Sequence, residues 1–354
     1  MSKTAVIFSP KSYQHYPGKD HPESARRLQR IIDELKRSRL FGSDKCQLVE
    51  PVKADVEDIK LVHGLEYVRH VQTVCKNGGG MLDEADTAVS PESFETAVLA
   101  VGGTLTAANL VMEKKFENAF ALVRPPGHHA SRFQACGFCV FNNVAIAAKH
   151  LLKQYGLRRI LILDIDAHHG NGTQETFYDT RKVLYISLHE DPTFFPKTGF
   201  VDEVGEGEGL GYNVNIPLPF KTTDQTYLRA VKEIVAPVAS QYRPDFILVS
   251  AGLDGHYADP VGELSLSALC YKRVYEVIMK LASETCQGRL VAVLEGGYGL
   301  RFVGKIGAAL TAEMSGAQYA INDRVLTAEK NVKIRGEKAI EEVKKLQSVF
   351  WNLD

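Results

Sequence analysis

The chain has 354 residues, of which 45% are hydrophobic and 24% charged, a balance typical of a globular protein with a large core. Lys and Arg number 42 and Asp and Glu 43, which excludes the strongly basic surface of a dedicated nucleic-acid binder. The six cysteines are too few for a disulfide framework, and the N-terminal apolar run is too short for a signal peptide. We therefore expect a cytoplasmic protein with no membrane contact and no direct contact with nucleic acid.

Five short runs rich in Val, Ile and Leu predict buried strands, because they are apolar on both faces. They are Phe120 to Val123, Ile160 to Leu163, Val183 to Ser187, Phe246 to Ser250 and Leu290 to Leu294. Helical patterns at Asn143 to Gln154 and Leu228 to Ser240 alternate with these strands. The alternation predicts an α/β fold with a central parallel sheet and helices on both faces.

The whole chain, residues 1–354, is predicted to form one domain. The N-terminal third, with Tyr13 to Leu28, is interpreted as helices and loops away from the functional edge of the sheet. From about Ala328 onward, apolar residues at helical spacing predict a terminal helix that packs on the domain. These residues are Ile340, Val343, Leu346 and Phe350.

Each predicted strand runs into a cluster of His, Asp, Gly or Tyr, and open α/β sheets bind ligands beyond the carboxyl ends of their strands. The first cluster, RPPGHHA, places His128 and His129 after a strand, with Gly127 allowing a tight turn. Tandem histidines alone are as typical of a surface or structural role. Beside a metal, they can take a proton from an attacking water and return it to a leaving amine.

The second cluster, CGFC at residues 136–139, has the Cys-x-x-Cys spacing of thiol redox motifs. It follows a loop and does not open the first helix of a βαβ unit, which argues against a redox site. We interpret Gly137 and Phe138, with Phe194 and Phe195 further on, as walls of a substrate channel. Core packing is the alternative for each Phe taken singly.

The third cluster, ILILDIDAHHGNGT at residues 160–173, ends a strand in Asp164, Asp166 and His168, which share one face of an extended chain. Asp166 and His168 are candidate zinc ligands, and Asp254 in SAGLDGHYADP is a candidate third. Three protein ligands leave one position open, as catalytic zinc requires. A hydrogen-bonded loop pair of Asp166 and His168 is the alternative. Asp164 lies too early on its strand to share the metal easily and could orient one of the tandem histidines.

The last cluster, LEGGYG at residues 294–299, ends a strand in two glycines and Tyr298. Alone it is a plain turn. With a metal opposite, the hydroxyl of Tyr298 can donate a hydrogen bond to the oxygen that becomes negative when water attacks a carbonyl.

Together, RPPGHHA, GFCVFNN, DIDAHHGNGT, SLHE, FFPKTG, SAGLDGHYADP and LEGGY resemble the zinc-dependent histone deacetylase superfamily, which includes acetylpolyamine amidohydrolases and bacterial histone deacetylase-like amidohydrolases. The resemblance implies a single arginase-like α/β domain that removes the acetyl group of an acetylated protein, peptide or small amine. Acetyl-lysine is the expected substrate. The alternative substrate is an acetylpolyamine. Two alternative functions are a non-catalytic module that binds acyl-lysine and an arginase-type hydrolase with two bridged metals.

The resemblance also implies roles for individual residues. Zinc would be bound by Asp166, His168 and Asp254. The acid-base pair would be His128 and His129, with Asp164 as the partner of His128 and Tyr298 polarising the carbonyl. Phe138 and Phe195 would flank an acyl-lysine tunnel. A potassium ion would lie near Asp164, Asp166, His168, Ser187 and Leu188, and a second near Phe177, Thr180 and Val183.

Two positions refine the subclass. Asn171 stands where class I deacetylases carry an Asp, so HGNGT with SLHE resembles class II and its bacterial relatives. Val261 stands where a polyamine-selective type carries a Glu, which predicts an uncharged tunnel mouth. Acidic groups at Asp83, Glu84 and Asp86 could instead attract a cationic chain, although a solvated acidic turn is the simpler interpretation.

Overall fold

A computed structural model describes residues 4–41, 44–83 and 85–353 of the chain. Glu84 lies outside the described residues. The strands are β1 Thr4–Ile7, β2 Cys46–Val49, β3 Gly80–Met81, β4 Ala88–Val89, β5 Asn118–Ala121, β6 Ile160–Asp164, β7 Val183–Glu190, β8 Asn213–Leu218, β9 Phe246–Ala251 and β10 Leu290–Leu294. The helices are α1 Arg26–Arg37, α2 Val56–Ile59, α3 Leu65–Lys76, α4 Ser93–Met112, α5 Asn143–Gln154, α6 Asn171–Phe177, α7 Asp224–Ala230, α8 Ala236–Tyr242, α9 Ala268–Cys286, α10 Val303–Ser315 and α11 Lys330–Gln347.

Eight of these strands form one parallel sheet in the order β2-β1-β5-β10-β9-β6-β7-β8. Strands β3 and β4 pair as a separate antiparallel ribbon. Because β5, β10, β9, β6 and β7 are neighbours, the loops that follow them meet at one edge, although their sequences are far apart. The predicted α/β class with a central parallel sheet is confirmed.

The hydrophobic core has two layers, one on each face of the sheet. Along β6, Leu161 and Leu163 point into the layer built with α1, α7, α9, α10 and α11, whereas Ile160 and Ile162 point into the layer built with α3, α4 and α5. This alternation follows from the two-residue period of a strand. It explains why the central strands are apolar at every position.

The predicted helices have recognisable starts. Helix α5 begins after Asn142, whose side chain accepts a hydrogen bond from the Ala145 N–H at 3.0 Å, and it covers the predicted range. The predicted helix at Leu228 to Ser240 lies within α7, a π-helical turn at Val231–Val235, and α8. Helix α4 is long and apolar enough to span a membrane by composition, but 72% of its most apolar window is buried, as in a core helix.

The interpretation of the N-terminal third as only helices and loops is wrong. Strand β1 lies inside the sheet between β2 and β5, and α1 packs on α10. The four-residue runs TAVI and CQLV are too short to give a clear period, and β2 is an edge strand with exposed residues. Strand β8, NVNIPL, was also missed, because Asn and Pro are depleted in strands and Pro is tolerated at an edge.

The C-terminal helix α11 covers this edge by packing on β8. Ile340 and Val343 are buried on the helix, and Leu346 is partly buried. Beyond the helix, the Trp351 indole N–H donates to the Gly211 carbonyl at 2.9 Å. The last residues described thus protect an edge strand that would otherwise present unpaired backbone groups.

Candidate active site

Three candidate metal ligands meet at the ends of the neighbouring strands β6 and β9. His168 Nδ1 lies 3.3 Å from both Asp166 Oδ1 and Asp254 Oδ2, and the three ligand atoms are within 4.8 Å of one another. The Asp166 carboxylate is held by the backbone N–H groups of His168 at 2.9 Å and Gly296 at 2.8 Å. One nitrogen and two carboxylates at this spacing match the ligand types of zinc.

The Asp254 carboxylate shows most directly that this set suits a cation. Its Oδ1 accepts a hydrogen bond from the Ala167 N–H at 2.9 Å, whereas the buried Oδ2 accepts no hydrogen bond from the described residues and faces His168 Nδ1 at 3.3 Å. Burial and the neighbouring Asp166 raise the pKa of Asp254 to about 7. A buried, unpartnered carboxylate oxygen is costly, and a dication bound there would compensate it.

The tandem histidines lie beside this set with their rings 4.0 Å apart. His128 Nδ1 is 3.0 Å from Asp164 Oδ2, and His129 Nδ1 is 2.8 Å from Asn171 Oδ1. Burial would lower the pKa of both imidazoles, but Asp166 and Asp164 overcome it and raise the pKa of His128 to about 10. The pKa of His129 stays well below its usual value because of burial and the repulsion of His128. Two titratable groups with separated pKa values are typical of an acid-base pair.

Tyr298 completes the arrangement from the loop after β10. Gly297 before it has φ +113°, a conformation that favours glycine. The Asp259 carboxylate accepts hydrogen bonds from the Tyr298 N–H at 2.6 Å and the Gly299 N–H at 2.7 Å. Burial raises the pKa of Tyr298 well above its usual value, so its hydroxyl remains a donor at neutral pH.

A cavity of about 570 Å³ opens onto these groups. All five predicted substrate contacts line it, namely Gly137, Phe138, Phe195, Val261 and Asp86. The Phe195 ring stands edge-on to His129 at 5.0 Å, and Phe138 stands edge-on to Tyr298 at 5.7 Å. Of the predicted catalytic and metal-binding residues, His129, His168 and Tyr298 line the cavity, and His128, Asp166 and Asp254 are buried beside them.

The cavity wall carries more charge than Val261 alone predicts. Glu190, Glu263 and Phe220, which the sequence interpretation did not single out, also line the cavity. Glu263 lies only two residues beyond Val261, and Glu190 is the last residue of β7. The prediction relied on one position, whereas the wall is built from several chain segments.

Comparison with known proteins places the chain in a family. Residues 21–314 match the Histone deacetylase domain. This chain is a member of the histone deacetylase family. A "Probable deacetylase" of Archaeoglobus fulgidus is 41% identical over 98% of each chain, and a "Histone deacetylase-like amidohydrolase" of Pseudomonas aeruginosa is 36% identical over 86% of this chain and 78% of its own.

A solved structure, "Crystal Structure of HDA15 HD domain", superposes with a TM-score of 0.88 at 34% identity, covering 99% of this chain and 95% of that one. The predicted histone deacetylase resemblance is therefore confirmed. The family and the names of the relatives also confirm the prediction of a hydrolytic enzyme.

The candidate potassium residues lie in two places. Ser187 pairs with Asp164 across β6 and β7, and Leu188 follows it, so the first set surrounds the end of β6. The Thr180 N–H donates to the Phe177 carbonyl at 3.3 Å, and Val183 begins β7, so the second set forms the turn after α6. Potassium itself stays a prediction.

A buried ionic network behind Tyr298 was missed. The Arg27 guanidinium lies 4.7 Å from the Tyr298 ring, and its Nε–H donates to the Gly297 carbonyl at 2.6 Å. The Glu23 carboxylate pairs with Arg27 at 3.0 Å and with Arg124 at 2.6 Å, and all three side chains are fully buried. Glu23 and Arg27 lie in the segment interpreted as helices and loops, and no local signal in that segment showed their partners.

Glu295 is another buried charged residue that the sequence analysis missed, because no local signal showed its partners. Its Oε2 accepts hydrogen bonds from the Gly127 N–H at 2.7 Å and the His128 N–H at 3.2 Å, which fixes the tandem-histidine loop to the end of β10. Burial raises the pKa of Glu295 to about 7.

The CGFC motif forms a tight turn in which Cys136 and Cys139 pair as an isolated antiparallel bridge. Both are free thiols. Burial raises the pKa of Cys136 to about 11 and that of Cys139 well above its usual value, which opposes the thiolate that redox chemistry needs. The turn instead presents Gly137 and Phe138 to the cavity.

Proposed function

We propose that this enzyme is a zinc-dependent deacetylase that hydrolyses the acetamide of acetyl-lysine side chains in proteins or peptides. The observation that carries the proposal is the cluster of three candidate metal ligands, two anchored histidines and a buried tyrosine, which the cavity reaches at His168, His129 and Tyr298. The orphaned Oδ2 of Asp254 supports a metal between Asp166, His168 and Asp254. Zinc bound there would act as a Lewis acid on the amide carbonyl and would make water acidic enough to attack it.

The two histidines would transfer protons. Asp164 and Asn171 hold the Nδ1 atoms of His128 and His129, which leaves each Nε2 for the reaction. One imidazole accepts the proton of the attacking water, and a protonated imidazole then donates to the departing amine. The Tyr298 hydroxyl donates a hydrogen bond to the oxygen that gains negative charge.

The cavity supports a substrate with an apolar chain. Phe138, Phe195 and Val261 offer walls for the methylene groups of a lysine side chain, and Asp86 is placed to accept a hydrogen bond from the substrate backbone. The carboxylates of Asp86, Glu190 and Glu263 favour a second candidate, an acetylated polyamine, because its free amines are cationic. A bound potassium ion near the end of β6 belongs to the same proposal.

Turnover of three substrate classes by the purified protein tests both candidates: acetyl-lysine peptides, longer acyl-lysine peptides and acetylated polyamines. We expect the highest kcat/KM with acetyl-lysine peptides, and a higher value with acetylated polyamines would favour the second candidate. Removal of metal with a chelator should abolish turnover, and added Zn²⁺ should restore it. Full activity after thorough chelation and dialysis would refute the zinc mechanism.

A further inference from the structure

Glu190 is a buried carboxylate that the proposed reaction does not use. Its side chain is 8% exposed at the end of β7, and it lines the cavity. Its Oε2 accepts a hydrogen bond from the Glu263 N–H at 2.6 Å, which fixes the orientation of the carboxylate. Burying a carboxylate is costly unless a positive group lies nearby. No lysine or arginine in the described part of the chain pairs with it, so its partner must be sought elsewhere.

That partner is the outer nitrogen of a candidate metal ligand. Glu190 Oε1 lies 3.7 Å from His168 Nε2, while the Nδ1 of the same ring faces Asp166 and Asp254 at 3.3 Å each. A ring that binds a metal through Nδ1 must carry its proton on Nε2. The proton would then point towards the Glu190 carboxylate. At 3.7 Å the contact is longer than a direct hydrogen bond, so the coupling is electrostatic.

We propose that Glu190 is a positioning residue for the metal: its carboxylate favours the His168 tautomer that leaves Nδ1 bare towards Asp166 and Asp254. This inference rests on the proposed zinc function. A carboxylate behind a metal-binding imidazole orients the ring and makes it a stronger ligand, and losing such a partner weakens metal affinity by about 10–100-fold.

The same cavity offers a matched control. Glu263 carries the same charge and also lines the cavity, but its side chain is 53% exposed and its Oε2 pairs with Lys221 at 2.5 Å. Its carboxylate has no contact with His168 among the described ion pairs. Glu190→Gln and Glu263→Gln therefore each remove one negative charge from the same wall, and only the first removes it from behind the imidazole.

The test measures Zn²⁺ affinity of the apoprotein without substrate, by competition with a chromophoric chelator. We expect wild type and Glu263→Gln to bind one Zn²⁺ with the same Kd, and Glu190→Gln to bind about 10–100-fold more weakly. Glu190→Asp, which keeps the charge on a shorter side chain, should fall between. The absorption bands of Co²⁺-substituted protein should shift in Glu190→Gln but not in Glu263→Gln.

Three results are distinguishable. An unchanged Kd in Glu190→Gln would overturn the inference, even if its KM for cationic substrates rose, because Glu190 would then contact substrate and not support the metal. Equal weakening in both variants would also overturn it, by showing a general charge effect. Failure of the wild type to bind Zn²⁺ would refute the proposed metal centre itself.

Thermal unfolding of each apoprotein shows whether a variant has folded. For any variant with reduced stability, the Co²⁺ spectra decide whether the metal site has changed.

Discussion

Replacing Tyr298 by Phe removes one hydroxyl from the site and leaves the rest of the side chain in place. The ring would keep its edge contact with Phe138 at 5.7 Å and its stacking with Arg27 at 4.7 Å. The backbone N–H would keep its hydrogen bond to Asp259 at 2.6 Å. The variant should therefore fold and bind zinc as the wild type does, and its defect should be confined to catalysis.

The size of that defect follows from burial. Tyr298 is 8% exposed, so water cannot readily replace the lost donor. Burial raises the pKa of the Tyr298 hydroxyl, which is therefore present as a donor at neutral pH. Removal of one preorganised oxyanion donor lowers kcat by about 10²–10³-fold, equivalent to about 2.7–4 kcal/mol in the barrier. We expect a loss in this range.

The assay measures kcat and KM with a fluorogenic acetyl-lysine peptide, together with bound zinc. Tyr275→Phe is the control, because it also removes a buried hydroxyl, one with no hydrogen-bond partner among the described residues. We expect kcat to fall only in Tyr298→Phe. An undiminished kcat in that variant would remove Tyr298 from the transition state, and an equal loss in Tyr275→Phe would indicate a packing effect.

Three further substitutions test the support of the site. Asp259→Ala frees the Tyr298 loop and should lower kcat by about 10-fold, with a much smaller effect when Tyr298 is already Phe. Glu23→Gln removes a buried charge between two arginines and should cost about 3–5 kcal/mol of unfolding free energy at pH 7. Gly137→Ala should lower both stability and kcat, because Gly137 has φ +54° and a Cβ there would overlap the His129 ring and approach Phe195 to 3.0 Å.

The predictions for Glu23→Gln and Gly137→Ala each have a control and a measurement. Burial alone would raise the pKa of Glu23, but Arg124 holds this pKa well below 4.5. The charged Glu23 carboxylate therefore stabilises the fold above pH 4.5, and this stabilisation is lost as the pH falls through the folded-state pKa. The gap in denaturant stability between wild type and Glu23→Gln should therefore narrow as the pH falls, and a pH-independent gap would contradict this origin. For Gly137→Ala, the control is Gly156→Ala, which has φ +64° and no neighbour within 4 Å. Equal losses of thermal stability and kcat in the two would show that the clash with His129 has no effect.

The sequence alone could predict those features that depend on residues close together in the chain. Asp166 and His168 lie two residues apart just after β6, so their proximity could be predicted from the local sequence. The central strands were visible because burial on both faces makes them continuously apolar. Strand β8 was not, since an edge strand tolerates Asn and Pro, and its pairing with β7 has no local signature.

Contacts across the sheet edge could not be predicted from the sequence for a different reason. Arg27 reaches the Gly297 carbonyl across 270 positions of the chain, and Glu295 reaches the Gly127 N–H across 168. Such partners are set by the strand order, which places β5 and β10 side by side. A single sequence shows a buried arginine or glutamate only as a charged residue, and charged residues are usually exposed.

The charge of the cavity also could not be predicted from a single position, and it helps to choose between the two candidate substrates. Val261 predicted a neutral mouth, yet Asp86, Glu190 and Glu263 line the cavity with no lysine or arginine among the lining residues. Lys221 offsets Glu263 from outside, which leaves two carboxylates. If Glu190 acts through the metal ligand as proposed, Asp86 alone is free for substrate. One carboxylate suits the single backbone contact of an acetyl-lysine peptide, whereas a longer polyamine with several cationic amines would pair with more than one. The Glu190 experiment therefore also weighs the two substrates, because an unchanged zinc affinity would return Glu190 to the cavity as a second site for a cationic amine.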